Sequence, residues 1–306
     1  MFSNALFVSF SHQHTTAALR SVIELMRRED GHTTAIAVIE PAPTMQRLLT
    51  PREVTEGVEI ALRDTIANEL RQSVAKAAGE RSPADVDIDV VSGHVVAIVL
   101  KRIIEDDHDL LVLTGHPDDS FARAVIKRLQ RKSPCPVWAI RPSRDRKRRI
   151  LAAVDTDAEH HGLDHRILVA ARWLATPGSE VHVLTAWELL GEATLRSSPF
   201  VSAGEQAVDE LRARCEAHHR RTLAELVGEH HFGDVRVHLH VRNGAAPDVI
   251  VEMVERHHIN QLVMGTIGRS GIPGFVIGNT AERLLSEVPC SEFVVKPPGF
   301  ASSFAG

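Results

Sequence analysis

The chain has 306 residues, 43% hydrophobic and 25% charged, the balance of a soluble globular protein with length enough for two domain cores and not that of a disordered chain. A formal net charge of -5 and a sequence pI of about 6.4 speak against a DNA-binding or anionic-membrane surface. Three cysteines, Cys135, Cys215 and Cys290, are too few for a disulfide scaffold; no apolar run is long enough to cross a bilayer, and the opening MFSNALFVSFSHQH lacks the basic start of a secretory signal, so a cytoplasmic location is expected.

The first half starts with an apolar strand in LFVSFS, followed further on by DVDIDVVSG (85–93), DHDLLVLTG (107–115), a helical FARAVIKRLQ and SPCPVWAIRP (133–142). A basic segment, RPSRDRKRRI (141–150), reads as an exposed linker leading into the next strand. The second half then runs through the strand RILAAVD, a helix ending in LVAARWLA, the strand VHVLTAW and the long charged helix ELRARCEAHHRRTLAELV. It continues with VRVHLHV as a strand, APDVIVEMVERH as a helix, QLVMG as a strand, TAERLLSEV as a short helix and EFVVK as a last strand.

These halves repeat one another. DHDLLVLTG aligns with HHINQLVMGT (257–266), SPCPVWAIRP with VPCSEFVVKP (288–297), and DVDIDVVSG with VRVHLHVRNG (235–244). Units this long are whole domains, since solenoid repeats are shorter. Apolar strands alternating with amphipathic helices indicate parallel sheets covered on both faces. The expected fold is therefore α/β, with tandem domains at 1–145 and 146–306.

In such a sheet, ligands collect at the carboxyl ends of strands where the strand order reverses. With the order 3-2-1-4-5, Asp155 at the end of RILAAVD and the glycine-rich MGTIGRSGIPGFVIGNTAERL (264–284) both reach that point. A carboxylate at Asp155 would accept hydrogen bonds from a base or ribose; it would equally serve as an N-cap for the next helix. Gly268 suits a backbone nest for an anion, and Asn279 with Glu282 reads as a capping box at a helix whose first N–H groups would face a phosphate. Neither a Walker ending nor a GxGxxG fingerprint is present.

Gly265-Thr-Ile-Gly268, nine residues, then Gly278 is the G-2x-G-9x-G pattern of the universal stress protein family. Over essentially its whole length the chain resembles the tandem, two-domain UspE-like branch of that family. The resemblance implies two adenine-nucleotide-alpha-hydrolase-like domains, each with a five-stranded parallel sheet of order 3-2-1-4-5. It also implies binding of ATP or another adenine nucleotide, with or without Mg, in a stress-response regulator acting through conformation or an unknown protein partner. Carried onto this chain, Ala153, Asp155 and Ala186 would hold base and ribose, and Met264 and Gly265 would face the sugar and base. Gly268, Gly278, Asn279 and Thr280 would hold phosphates. Asn279 departs from the serine or threonine of the family pattern, although its amide still donates a hydrogen bond.

Domain 1 lacks this set: Phe10 stands where domain 2 has Asp155, and Thr114-Gly-His-Pro117 replaces Gly265-Thr-Ile-Gly268. A nucleotide is thus expected in domain 2 alone; the resemblance further implies that PVWAIRP of domain 1 pairs with EFVVKPP of domain 2 within one chain, as family members associate through their last strands, and it allows a homodimer besides. A slow ATPase and a scaffold carrying another small molecule are the alternative functions; no general base is evident, so no catalytic residue is assigned. Arg236, His238 and His240 alternate along VRVHLHV, but no third ligand is evident beside them in the sequence. They read as the polar face of an edge strand, while His160, His161, His257 and His258 read as solvated helix ends, and no metal site is assigned. Cys135 and Cys290 read as buried packing residues, and so do Trp138, Trp173 and Trp187.

Overall fold

A computed structural model describes residues 1–10, 12–41, 52–79, 86–115, 118–141, 143, 145, 147–157, 161–197, 204–266 and 278–300. Two compact units are present: residues up to Arg144 and from Ser291 onward form unit 1, and the stretch from Asp145 to Cys290 contributes unit 2.

Unit 1 contains β1 (Asn4–Ser9), α1 (His12–Arg27), β2 (His32–Ile39), α2 (Arg52–Ala78), β3 (Val86–Ser92), α3 (Val95–Glu105), β4 (Leu110–Thr114), α4 (Ser120–Lys132) and β5 (Val137–Ile140). The five strands are parallel in the order β3-β2-β1-β4-β5. Consecutive residues of β1 and β4 are buried, Leu110 to Thr114 without a break, because helices cover both sheet faces. One cover is α3 with α4, whose Val95, Val99, Ile103, Val125 and Leu129 pack on Leu6, Val8, Leu111 and Leu113. Their i, i+4, i+8 spacing places the apolar residues on one helix face.

Unit 2 contains β6 (Arg149–Val154), α5 (His161–Leu174), β7 (Glu180–Trp187), α6 (Glu192–Ser197), α7 (Gly204–Gly228), β8 (Arg236–Asn243), α8 (Ala246–Arg256), β9 (Gln261–Gly265) and α9 (Asn279–Glu287). Its strands are parallel in the order β8-β7-β6-β9. The turns out of β3 and β8 repeat one device: Gly93 and Gly244 have φ of +143 and +136, a region that only glycine enters without strain.

The last strand, β10 (Ser291–Val295), belongs to unit 1 and runs antiparallel to β5, with Phe293 opposite Trp138. This is the pairing of PVWAIRP with EFVVK anticipated from the sequence, and it covers the hydrogen-bonding edge of β5. It also buries charge. Glu292 is 3% exposed and Lys296 1% exposed; Gln130 Nε2 donates to Glu292 Oε2 at 2.8 Å, and Lys296 Nζ donates to the carbonyl of Gln130. Burial raises the Glu292 carboxyl to about 7 and lowers the Lys296 ammonium to about 7.

Cys135 and Cys290 are buried, and burial pushes the Cys135 thiol up to about 11, as befits packing residues. Trp138, Trp173 and Trp187 are buried too. Among the described residues, no helix is long and apolar enough to cross a membrane.

Candidate nucleotide site

The strands of unit 2 end on a cavity of about 340 Å3, within the size range of small-molecule sites. Ala153, Val154 and Asp155 reach it from the end of β6, Ala186 to Glu188 from β7, and Met264 and Gly265 from β9. The strand order reverses between β6 and its two neighbours β7 and β9, so the cavity lies at the switch point. Gly244 to Pro247 line it from the β8–α8 turn, and Gly278, Thr280 and Ala281 from the start of α9.

The structure thus brings together Ala153, Asp155, Ala186, Met264, Gly265, Gly278 and Thr280. Asn279 is the first residue of α9, and Gly268 lies outside the described residues. Ala153 and Ala186 keep the cavity open by their size. Asp155 accepts from the N–H of Asp157 at 3.1 Å, a local turn bond of the kind Asp side chains make.

One expectation about the glycine segment is corrected. The N-cap of α9 is Gly278, with no side-chain cap, so Asn279 lies inside the helix and the Asn279–Glu282 box does not form. Gly278 N–H donates to the Thr266 carbonyl at 2.9 Å, and Glu282 N–H to the Gly278 carbonyl at 3.0 Å. The first-turn N–H groups of α9 lack intrahelical acceptors, as at any helix start. Gly265 is needed for packing and not only for a ligand: a Cβ there would lie 2.6 Å from Leu163 Cδ2.

Several lining groups were not singled out in the sequence. Asp164, in the first turn of α5 and 3% exposed, accepts the Asp155 N–H at 3.0 Å. Leu163, Ile167 and Ile250 supply an apolar wall. Beneath the rim, the Thr156 hydroxyl bonds Thr185 Oγ1 and His219 Nδ1, each at 2.9 Å, and Trp187 stacks on His219. Among the described lining residues there is no lysine or arginine. Anion recognition at the described wall would therefore fall to backbone N–H groups and the Thr280 hydroxyl.

Unit 1 differs at the corresponding places. Phe10 packs against the cluster of Leu6, Val8, Val125 and Leu113, filling with an apolar ring the position where unit 2 carries Asp155. The helix after the fourth strand, α4, is capped by its own carboxylate: Asp119 Oδ1 accepts from Phe121 N–H at 3.0 Å and Ala122 N–H at 3.1 Å. His116 and Pro117 lie outside the described residues.

The profile of the universal stress protein family matches residues 1–141 and again 147–296. The chain belongs to the universal stress protein family. It carries two copies of that domain, in the tandem arrangement of universal stress protein E. The protein of that name from Escherichia coli K12 is 26% identical over 311 residues, covering 97% of this chain and 95% of its own length. Its counterpart from Photorhabdus laumondii is 24% identical over 317 residues, covering 98% and 96%. Among solved structures, a protein of unknown function from Pseudomonas aeruginosa PAO1 superposes with a TM-score of 0.66 at 22% identity, covering 97% of this chain and 93% of its own. A universal stress protein from Archaeoglobus fulgidus gives 0.60 at 16% identity, over 96% and 98%. Both likenesses concern the fold.

The histidines form a second site-like feature of unit 2. His238 and His240 are half-buried on β8, and they face buried His182 on β7 and His257 at the C-cap of α8. Two further imidazoles thus lie beside His238 and His240, at His182 and His257, 56 and 19 residues away in sequence from His238. Only the parallel register of β7 and β8, which sets His182 beside His238, and the return of α8 bring them together.

Proposed function

We propose that this universal stress protein binds an adenine nucleotide, ATP or a close relative, in unit 2 and regulates the stress response through the occupancy of that site. The observation that carries this reading is the convergence of Ala153, Asp155, Ala186, Met264, Gly265, Gly278 and Thr280 on one cavity at the sheet switch point. The base would lie against Ala153 and Ala186, with Asp155 accepting from a ribose hydroxyl or the adenine amine. The phosphates would lie at the start of α9, where first-turn N–H groups without intrahelical acceptors and the helix dipole favour an anion. Gly268 and Asn279 join this phosphate set in the proposal.

Unit 1 is proposed to carry no nucleotide, since Phe10 offers no acceptor and Asp119 already occupies the donors at the start of α4. Binding without rapid hydrolysis fits the described lining, whose acids, Asp155, Asp164 and Glu188, lie just after β6, on α5 and just after β7, and not at the start of α9. The proposed setting is the cytoplasm.

Calorimetric titration of the full chain with ATP, ADP, AMP and adenosine, each with and without Mg2+, tests the proposal. One nucleotide per chain is expected, lost in Gly278→Val and weakened in Asp155→Ala. Two equivalents per chain, or none from protein freed of small molecules by denaturation and refolding, would contradict it.

A further inference from the structure

Three imidazoles of unit 2 meet as a triangle. Ring centroids of His182 and His240 are 5.1 Å apart, those of His182 and His257 4.7 Å, and those of His240 and His257 5.2 Å. One ligand nitrogen from each lies within 4.8 Å of the other two. We propose that His182, His240 and His257 form a binding site for an imidazole-selective divalent transition cation, with Zn2+ the expected ion.

The edge between His182 and His240 needs only a small adjustment, while the third nitrogen, on His257, lies within 4.8 Å of the others and must draw in toward the spacing of about 3.3 Å that zinc sets. His182 Nδ1 and His240 Nε2 are 2.9 Å apart and share a hydrogen bond, whereas two nitrogens on a tetrahedral zinc at its usual bond length are separated by about 3.3 Å. Opening that edge by about 0.4 Å, and moving the shared proton to the outer nitrogen of its ring, turns both lone pairs inward. Neutral imidazole is the ligating form. Burial, followed by repulsion from the neighbouring imidazoles, holds His182 and His240 at about 4, and burial leads the lowering of His257.

Two cations lie near the triangle: Arg242 acts electrostatically on His240 and His257, and Arg256 on His257. The guanidiniums of Arg242 and Arg256 are both held by Glu252, each at 3.0 Å. Glu180 lies close enough to act on His182 electrostatically; it pairs with Lys147 at 2.8 Å and Arg236 at 3.8 Å. His238 stacks on His182 at 4.8 Å and restricts its ring. Three protein nitrogens leave a fourth position for water, an arrangement zinc accepts readily, while hard cations such as Mg2+ and Ca2+ prefer oxygen ligands.

The ion would join β7, the exposed-side strand β8 and the end of α8. Because the first turn of α8, at Ala246 and Pro247, lines the cavity described above, the same helix connects the two places. The metal site itself does not depend on what that cavity binds.

The test uses the full chain stripped with a chelator and then titrated with Zn2+ and, separately, Co2+. The expected result is one Zn2+ per chain, a zinc-dependent rise in the thermal midpoint, and an intense visible Co2+ band of four-coordinate type. His240→Ala and His257→Ala should each weaken zinc binding at least tenfold and remove the band. His257, half-buried at a helix end, is the variant that keeps the test sound if a change at buried His182 disturbs folding. The sequence has 18 histidines, so His165→Ala, at a separate pair with His230, is the control and should bind as wild type. No stoichiometric uptake, or uptake equal in wild type, His240→Ala and His257→Ala, would overturn the proposal.

Discussion

The backbone N–H of Asp155 donates to Oδ1 of Asp164 at 3.0 Å, tying the end of β6 to the first turn of α5. Asp164 thereby positions the carboxylate proposed to meet the nucleoside. Asp164→Ala is expected to lower stability by about 1–3 kcal/mol, because a buried hydrogen-bonding group loses its partner, and to weaken nucleotide binding through the displaced Asp155. Asp164→Asn retains an acceptor oxygen and should recover much of both. Urea unfolding and nucleotide titration of the two variants check this; equal losses would show that charge, and not the acceptor, matters.

Gly265 makes a packing prediction. An added Cβ would lie 2.6 Å from Leu163 Cδ2 and 3.2 Å from its Cγ, so Gly265→Ala must push Leu163, itself a lining residue, from its place. A loss of about 1–3 kcal/mol is expected, the range for overpacking. The double variant Gly265→Ala with Leu163→Ala should lose less than the sum of the single changes. Additive losses in a double-mutant cycle would remove this explanation of the glycine.

Much of this architecture was legible in the sequence because it rests on local pattern. Apolar runs such as LLVLT and QLVMG declare strands buried on both faces, and the family resemblance that the G-2x-G-9x-G spacing carries implied Ala153, Asp155, Ala186, Met264, Gly265, Gly278 and Thr280 as one set. What could not be read depends on distance or on competition between neighbours. Asp164 looks like any acidic residue in a first helical turn until β6 is laid beside it. His182 and His257 join His240 only through the β7–β8 register and the return of α8. At α9, Gly278 wins the N-cap over Asn279 because its N–H is held by the Thr266 carbonyl and its own carbonyl by Glu282; a capping box read from spacing alone is silent on that.

Unit 1 should show a pH signature from Glu292 and Lys296. With its folded value raised to about 7, Glu292 in the native state holds a proton that the unfolded chain has released, so its contribution falls as pH rises from about 4.5 to 7. Lys296, lowered to about 7, is neutral when folded while the unfolded chain is still protonated. Its contribution therefore climbs between about pH 7 and 10.4. Together they place a local minimum near neutrality. Urea midpoints at about pH 5, 7 and 9 should show Glu292→Gln flattening the acid limb and Lys296→Met the alkaline limb; unchanged profiles would contradict the assignment.

The contrast between Asp119 and Gly278 separates helix stability from ligand binding. Asp119 caps α4 with its carboxylate, whereas Gly278 at the start of α9 offers no side chain. Asp119→Ala should therefore destabilise unit 1 by about 0.5–2 kcal/mol and leave nucleotide affinity as it was. Gly278→Asp should do the reverse. The glycine has φ -59 and ψ 148, a conformation open to any residue, so aspartate fits the backbone. It can bond the same first-turn N–H groups and gain a few tenths of a kcal/mol over glycine. In doing so it takes the donors proposed for the phosphates and adds a negative charge beside them. ATP should lose the most affinity, AMP less, and adenosine little. Titrating these three ligands against Gly278→Asp, with the thermal midpoint measured alongside, distinguishes lost phosphate contacts from lost folding. An equal loss for adenosine and ATP would place the phosphates elsewhere.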